Sequence, residues 1–190
     1  MNRTVTGLFA CFFCIGLAHA SDAPAPDPNA AEAKQIIQEF FSQLKGELQA
    51  AMKAGGPPNA VQVCQKRAPA IAQDLSQKTG WDVARTSLKL RNPANRPDDW
   101  ELAVLNKFEE RKAAGEDPAQ IAYGEVVEQD GKKAFRFMKA IPTAELCLSC
   151  HGSELSPELQ AQLDKLYPTD QARGYSLGEI RGAFTLAKPL

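Results

Sequence analysis

The stretch YGEVVEQDGKKAFRFMKAI, Tyr123–Ile141, decides the fold class. Asp130-Gly131 sits between two runs that read as strands, Tyr123 to Glu128 and Lys133 to Ile141. An Asp-Gly pair is favoured in two-residue primed turns, whose backbone twist matches that of the strands they join. The stretch therefore predicts a β-hairpin and argues against an all-helical bundle.

Upstream of the hairpin the pattern is helical. From about Ala30, apolar residues recur at helical spacing through Ile36/Ile37, Phe40/Phe41, Leu44, Leu48 and Met52. Gly55-Gly56-Pro57-Pro58 is expected to stop that helix. A second helix follows with Val61, Cys64, Ala68, Ile71 and Leu75 on one face, ending at Gly80. Val83 to Leu90 alternates weakly, as a strand does. Asn92-Pro93 and Asn95-Arg96-Pro97 form a turn-rich connection. Asp98 or Asp99 then caps a helix carrying Leu102, Leu105 and Phe108, which ends near Gly115. Downstream, Pro157 to Leu166 reads as a short helix and Ile180 to Leu186 as a last strand. Helices first and strands around a hairpin later give an α+β class, with a small antiparallel sheet and helices packed on it. No internal repeat is present.

Length and composition set the outer bounds. The 190 residues are 44% apolar, 24% charged and 7% aromatic. That fits one domain and excludes a disordered tail or a collagen-like chain. With 22 basic against 23 acidic residues the net charge is −1, so no broad cationic field exists to hold nucleic acid or an anionic membrane.

Residues 1–20 read as a cleavable signal peptide. Arg3 is the positive start, Val5 to Leu17 the apolar stretch, and Ala18-His19-Ala20 the small-x-small cleavage site. The apolar run is too short to span a bilayer. Cys11 admits a lipoprotein reading, though little apolar sequence precedes it. Residues 21–29, with Pro24, Pro26 and Pro28, read as a flexible leader, and 30–190 as the single domain. The expected location is the periplasm. Removal of the signal leaves Cys64, Cys147, Cys150 and one histidine, His151.

Cys147-Leu148-Ser149-Cys150-His151 carries the chemistry. C-x-x-C-H is the attachment pattern of c-type haem. Two thiols three apart on a helical turn face one way and can add to the two vinyl groups of one haem. The next residue offers an imidazole to the iron. Covalent attachment keeps the cofactor on an exported protein. Three other readings compete: a plain disulfide, a redox pair of the thioredoxin kind, and a zinc site with Cys64. No βαβ pattern precedes the motif, and structural zinc ligands seldom sit on adjacent residues such as Cys150 and His151.

The second axial ligand stays open on spacing alone. Carrier cytochromes usually pair histidine with methionine, and Met52 and Met138 both lie upstream. Cys64 is another candidate, because an unpaired thiol in an oxidising compartment is a liability unless buried or bound. An open site is the remaining option. A small helical carrier would place the motif early with methionine after it, which this chain does not. A four-helix cytochrome is opposed by the hairpin and the last strand. Among arginines, Arg85, Arg91 and Arg181 are candidates to pair with haem propionates, and Arg91, in Arg91-Asn92-Pro93, is the first choice. Trp81 and Trp100 read as core or haem-wall residues.

Four stretches together carry a resemblance. They are Ala60-Val61-Gln62-Val63-Cys64, then Arg85-Thr86-Ser87-Leu88-Lys89-Leu90-Arg91-Asn92-Pro93-Ala94-Asn95, then Cys147 to Gly152, and Gly178-Glu179-Ile180-Arg181-Gly182-Ala183-Phe184. In them the chain resembles the exported Tll-like c-type haem family, from about Ala30 to Leu186. Glu179 stands where that family more often has aspartate. The resemblance implies a PAS-like antiparallel sheet of about five strands with helices around it and one covalent haem c. It also implies His151 on one side of the iron and the Cys64 thiolate on the other.

An anionic, electron-rich thiolate stabilises ferric iron and lowers the potential. The expectation is a periplasmic monohaem protein with a one-electron redox role, acting with a separate redox partner protein. The alternative is a sensor in which Cys64 is released and the iron opens to NO, CO or O₂. A peroxidase reading has no second histidine to support it, and the chain is not expected to be an enzyme.

Overall fold

The computed structural model describes residues 27–190. The expected signal peptide, its cleavage site, the lipoprotein reading and most of the leader lie outside the described residues. The leader gives up its last two residues, because Pro28 and Asn29 open the first helix. Asp27 caps it by accepting the Asn29 N–H at 2.7 Å, and proline is pre-shaped for a first helical turn.

Helix α1 runs Pro28–Gln62, with non-helical backbone at Gly55 and Gly56. The predicted break is thus a kink, after which Pro57 and Pro58 start a new helical run. A π-helical turn, Val63–Arg67, leads into α2, Ala68–Thr79. Strand β1 is Asp82–Thr86, shorter than expected. It ends because Ser87 takes over: its hydroxyl donates to the Arg181 carbonyl and accepts the Lys89 N–H. A 3-10 turn at Pro93–Asn95 follows. Helix α3, Asp99–Ala113, begins with a capping box in which Asp98 and Glu101 satisfy each other's backbone N–H. Strands β2, Ala122–Gln129, and β3, Lys132–Pro142, form the hairpin. At its tip Asp130 (φ 53°) and Gly131 (φ 72°) both take positive φ, as a type I′ turn requires. Then come α4, Glu145–His151, α5, Pro157–Leu166, and β4, Ile180–Pro189.

The sheet has four antiparallel strands in the order β1-β4-β3-β2, against an expectation of about five. The connection after β1 supplies no further strand, because its prolines withhold backbone donors and its Asn92 side chain bonds the Ala94 N–H into a turn.

Strand β3 faces two cores by simple alternation. Phe135 and Phe137 pack with Phe40, Ile71, Leu75, Trp81 and Phe184 under α1 and α2. Met138 and Ala140 pack with Val104, Leu105 and Phe108 of α3 on the other face. Leu102, expected on the buried face of α3, is 42% exposed, and Val104 takes its place. A third cluster, Val61 with Leu159, Leu163 and Tyr167, fastens α5 to the end of α1 and receives Cys150. Trp81 is a core residue, while Trp100 is partly buried and donates its indole N–H to Glu125 at 2.7 Å. Among the described residues, no helix is long and apolar enough to cross a membrane.

Candidate functional site

A cavity of about 580 Å³, counting its open mouth, lies where α4 meets the β1 and β4 end of the sheet. Cys64 and His151 line it together, from the π-helical turn and the end of α4. Arg85, Arg91 and Arg181 line it too, as does Tyr167. Neither Met138 nor Met52 is among the lining residues; Met138 is sealed under α3.

Cys147 and Cys150 sit on α4 as half-buried free thiols, and Cys64 is likewise free. Burial, with the neighbouring Cys64 and Cys147 adding to it, pushes the Cys150 thiol up to about 11 against the pull of Arg91. Cys150 is therefore protonated near neutral pH. Among the described residues, no group of three His, Cys, Asp or Glu side chains is arranged to hold a bare metal ion. That geometry leaves the Cys64–Cys147–Cys150–His151 zinc reading without a site.

His151 is fixed from behind. Its Nδ1 lies 2.8 Å from the Ala172 carbonyl, which can only accept, so Nδ1 carries the proton and Nε2 keeps its lone pair. Burial, then the charges of Arg181 and Arg91, hold the imidazole well below its ordinary pKa, against the stabilising Ala172 bond. A neutral imidazole with an oriented Nδ1–H is the form that ligates metal. The Tyr175 ring meets the imidazole edge-on at 6.2 Å.

Arg91 lies in the wall of the cavity but turns to protein acceptors. Its Nε donates to Asp170 at 3.1 Å and its Nη2 to the carbonyls of Cys150 at 2.7 Å and Ala172 at 3.0 Å. Nη1 stands 3.5 Å from His151 Nε2, too far for a strong bond. Asp170, with its side chain 1% exposed, binds Arg91 and Arg173 at once. Backbone bonds from Gly174 to the Gly152 carbonyl and from Tyr175 to the His151 carbonyl tie the same segment to the motif.

Arg85 and Arg181 differ from Arg91, because no carboxylate meets either one among the described residues. Arg181 Nε is buried with no hydrogen-bond partner. Burial and the repulsion of Arg181 lower Arg85 to about 10, against the attraction of Cys64 and Tyr167. Burial, with Cys64 adding to it, raises the Tyr167 hydroxyl to about 12. Gly182 makes the wall thin: at φ 151°, a Cβ would stand 2.5 Å from the Thr86 carbonyl oxygen.

This donor set fits a haem. It offers an imidazole nitrogen and a thiol in one cavity, two more free thiols on the helix that bears His151, and a wall where Arg85 and Arg181 meet no carboxylate among the described residues. Sequence reasoning missed Asp170, the Ala172 carbonyl, Tyr167 and Tyr175. Residues 167–179 have no periodicity that would have singled them out.

The family model described as Tll0287-like: Tll0287 matches residues 24–189. The chain belongs to the Tll0287-like family. Its fold is similar to one solved structure, described as the crystal structure of the cyanobacterial heme-protein Tll0287, with a TM-score of 0.66 and 20% identity. The match covers 87% of this chain and 97% of that one. Among curated proteins, none matches this chain. The mixed helix-and-sheet architecture is thus shared over most of both chains.

Proposed function

We propose that the protein binds one haem, covalently, and serves a one-electron redox role in the periplasm. The observation that carries this reading is the shared cavity of His151 and Cys64, with His151 Nε2 freed by the Nδ1–Ala172 bond. Membership of the Tll0287-like family and the heme-protein description of the structural relative support the cofactor. The C-x-x-C-H spacing supports the covalent link.

In this reading Cys147 and Cys150 would hold the porphyrin, each by addition of its thiol S–H across one vinyl group. Sulfur bonds one vinyl carbon, hydrogen the other, and no oxidant is consumed. His151 Nε2 and the Cys64 sulfur would hold the iron. Haem supplies an iron that changes by one electron. The chain's residues fix the imidazole through Ala172, pack Tyr175 edge-on against it, and set the charge around it. A thiolate ligand pulls the potential down, while the arginines pull it up.

Two measurements test this. Acid–solvent extraction should leave the pigment on the polypeptide, and pigment released from the matured protein would refute covalent attachment. Cys64→Ala should convert the ferric spectrum to high-spin or make the ferrous protein bind CO, and should raise the potential; an unchanged spectrum would assign the ligand elsewhere.

The π-helical turn that bears Cys64 favours one second reading. Such turns are often found at functional sites. There, release of Cys64 on reduction would open the iron to NO, CO or O₂, and a partner protein would read the change. Fast electron exchange without gas binding at physiological concentrations supports the redox role; gas binding with slow exchange supports the sensor.

A further inference from the structure

We propose that Arg85 and Arg181 form a paired anion site in the cavity wall and hold the two carboxylates of the porphyrin, whereas Arg91 serves the protein side of the site. This rests on the haem reading above and names how that cofactor is oriented.

The argument starts from a contrast among the half-buried arginines. Arg91, Arg111, Arg136 and Arg173 each meet a carboxylate, at 3.1, 2.6, 2.8 and 2.6 Å. Arg136 leaves its Nε bare, but its Nη2 binds Asp98 and Glu101. Arg85 and Arg181 are the half-buried arginines without such a partner among the described residues, and both line the cavity. Arg85 has the Phe40 ring beneath it at 5.5 Å, which favours a cation without neutralising it. Buried cations are kept in folded proteins when paired, and leaving one unpaired is strongly unfavourable.

These two guanidiniums come from neighbouring strands. Strands β1 and β4 pair antiparallel, with Arg85 opposite Phe184 and Thr86 opposite Ala183. Placing two like charges at one end of the same strand pair works against folding unless an anion joins them. Ligation of Cys64 to the iron would supply one negative charge. A porphyrin brings two carboxylates, matching two planar guanidinium forks that bind such groups bidentately. Arg91 has already committed its Nε and Nη2 to three protein acceptors, so it holds the His151 segment in place.

The test titrates the full chain, produced without haem attachment, with iron protoporphyrin IX and with its dimethyl ester, whose carboxylates are capped. The acid is expected to bind at least tenfold more tightly than the ester. Arg85→Gln and Arg181→Gln should each shrink that preference, and Arg85→Lys and Arg181→Lys should keep part of it. In the matured protein the carboxylate vibrational bands of the haem should shift in the Gln variants. Equal affinity of the unsubstituted chain for acid and ester overturns the pairing, with no variant needed. So does a full preference retained in both Gln variants. A matured chain that carries pigment but is indifferent to esterification sinks the pairing alone. A colourless matured chain sinks the haem reading beneath it.

Discussion

Asp170→Asn removes one charge from the most buried ion pair near the site. The Asp170 side chain is 1% exposed and Arg91 10% exposed. Burial raises the carboxyl's pKa, but the bonds from Arg91 and Arg173 outweigh burial and hold it below the ordinary range. Substitution leaves the Arg91 charge buried without its carboxylate. Breaking such a pair costs about 3 kcal/mol. For a chain of this length that corresponds to a fall in Tm of ~6–12 °C. The assay is thermal unfolding of the matured protein across pH. Because the folded pKa is depressed, the contribution is complete above the unfolded value of about 3.9 and is lost as pH falls through the folded value. The gap between parent and variant should therefore be full at neutral pH and close in acid. A difference below about 1 kcal/mol at pH 7, or one that persists unchanged in acid, refutes the idea that Asp170 anchors Arg91 electrostatically.

Two further substitutions probe the frame. Gly182→Ala places a Cβ 2.5 Å from the Thr86 carbonyl oxygen on a strained backbone, so β1 and β4 must part; urea unfolding should show a loss of about 1–3 kcal/mol, with a disturbed haem spectrum. Asp98→Ala removes the capping box of α3 and an Arg136 ion pair; the expected loss is about 1 kcal/mol by chemical denaturation, with the visible spectrum unaltered.

Much of the local structure was legible because its causes are local. The Asp130-Gly131 turn was readable from two residues, since few pairs accept positive φ at both positions. Helix α5 was readable as Pro157 to Leu166, while its cap, the Ser156 side chain accepting the Leu159 N–H, shows only in the structure. The C-x-x-C-H motif was readable because Cys147, Cys150 and His151 lie close together along one short helix. Leu102 misled, since an apolar residue near the start of α3 fits the periodicity while the sheet contacts select Val104, Leu105 and Phe108. The break at Gly55-Gly56 and the helix beyond it were readable too, but not the π-helical turn at Val63–Arg67.

The arginines mark where reading along the chain ran out. Arg85, Arg91 and Arg181 were all nominated, and Arg91 was placed first on its setting beside Asn92-Pro93. Which acceptors each guanidinium reaches depends on Asp170 and Ala172, about eighty residues away, and on the pairing of β1 with β4. The residues alone determined that a C-x-x-C-H motif exists, that a hairpin precedes it, and that Cys64 is one of few further sulfur side chains in the chain. Only the tertiary structure decided that Cys64 and His151 share a cavity, that Met52 and Met138 stay out of its lining, and that Arg85 and Arg181 there meet no acid among the described residues. Side-chain identity and spacing report what neighbours along the backbone can do. Burial and charge pairing are properties of distant segments brought together, and no local pattern encodes them.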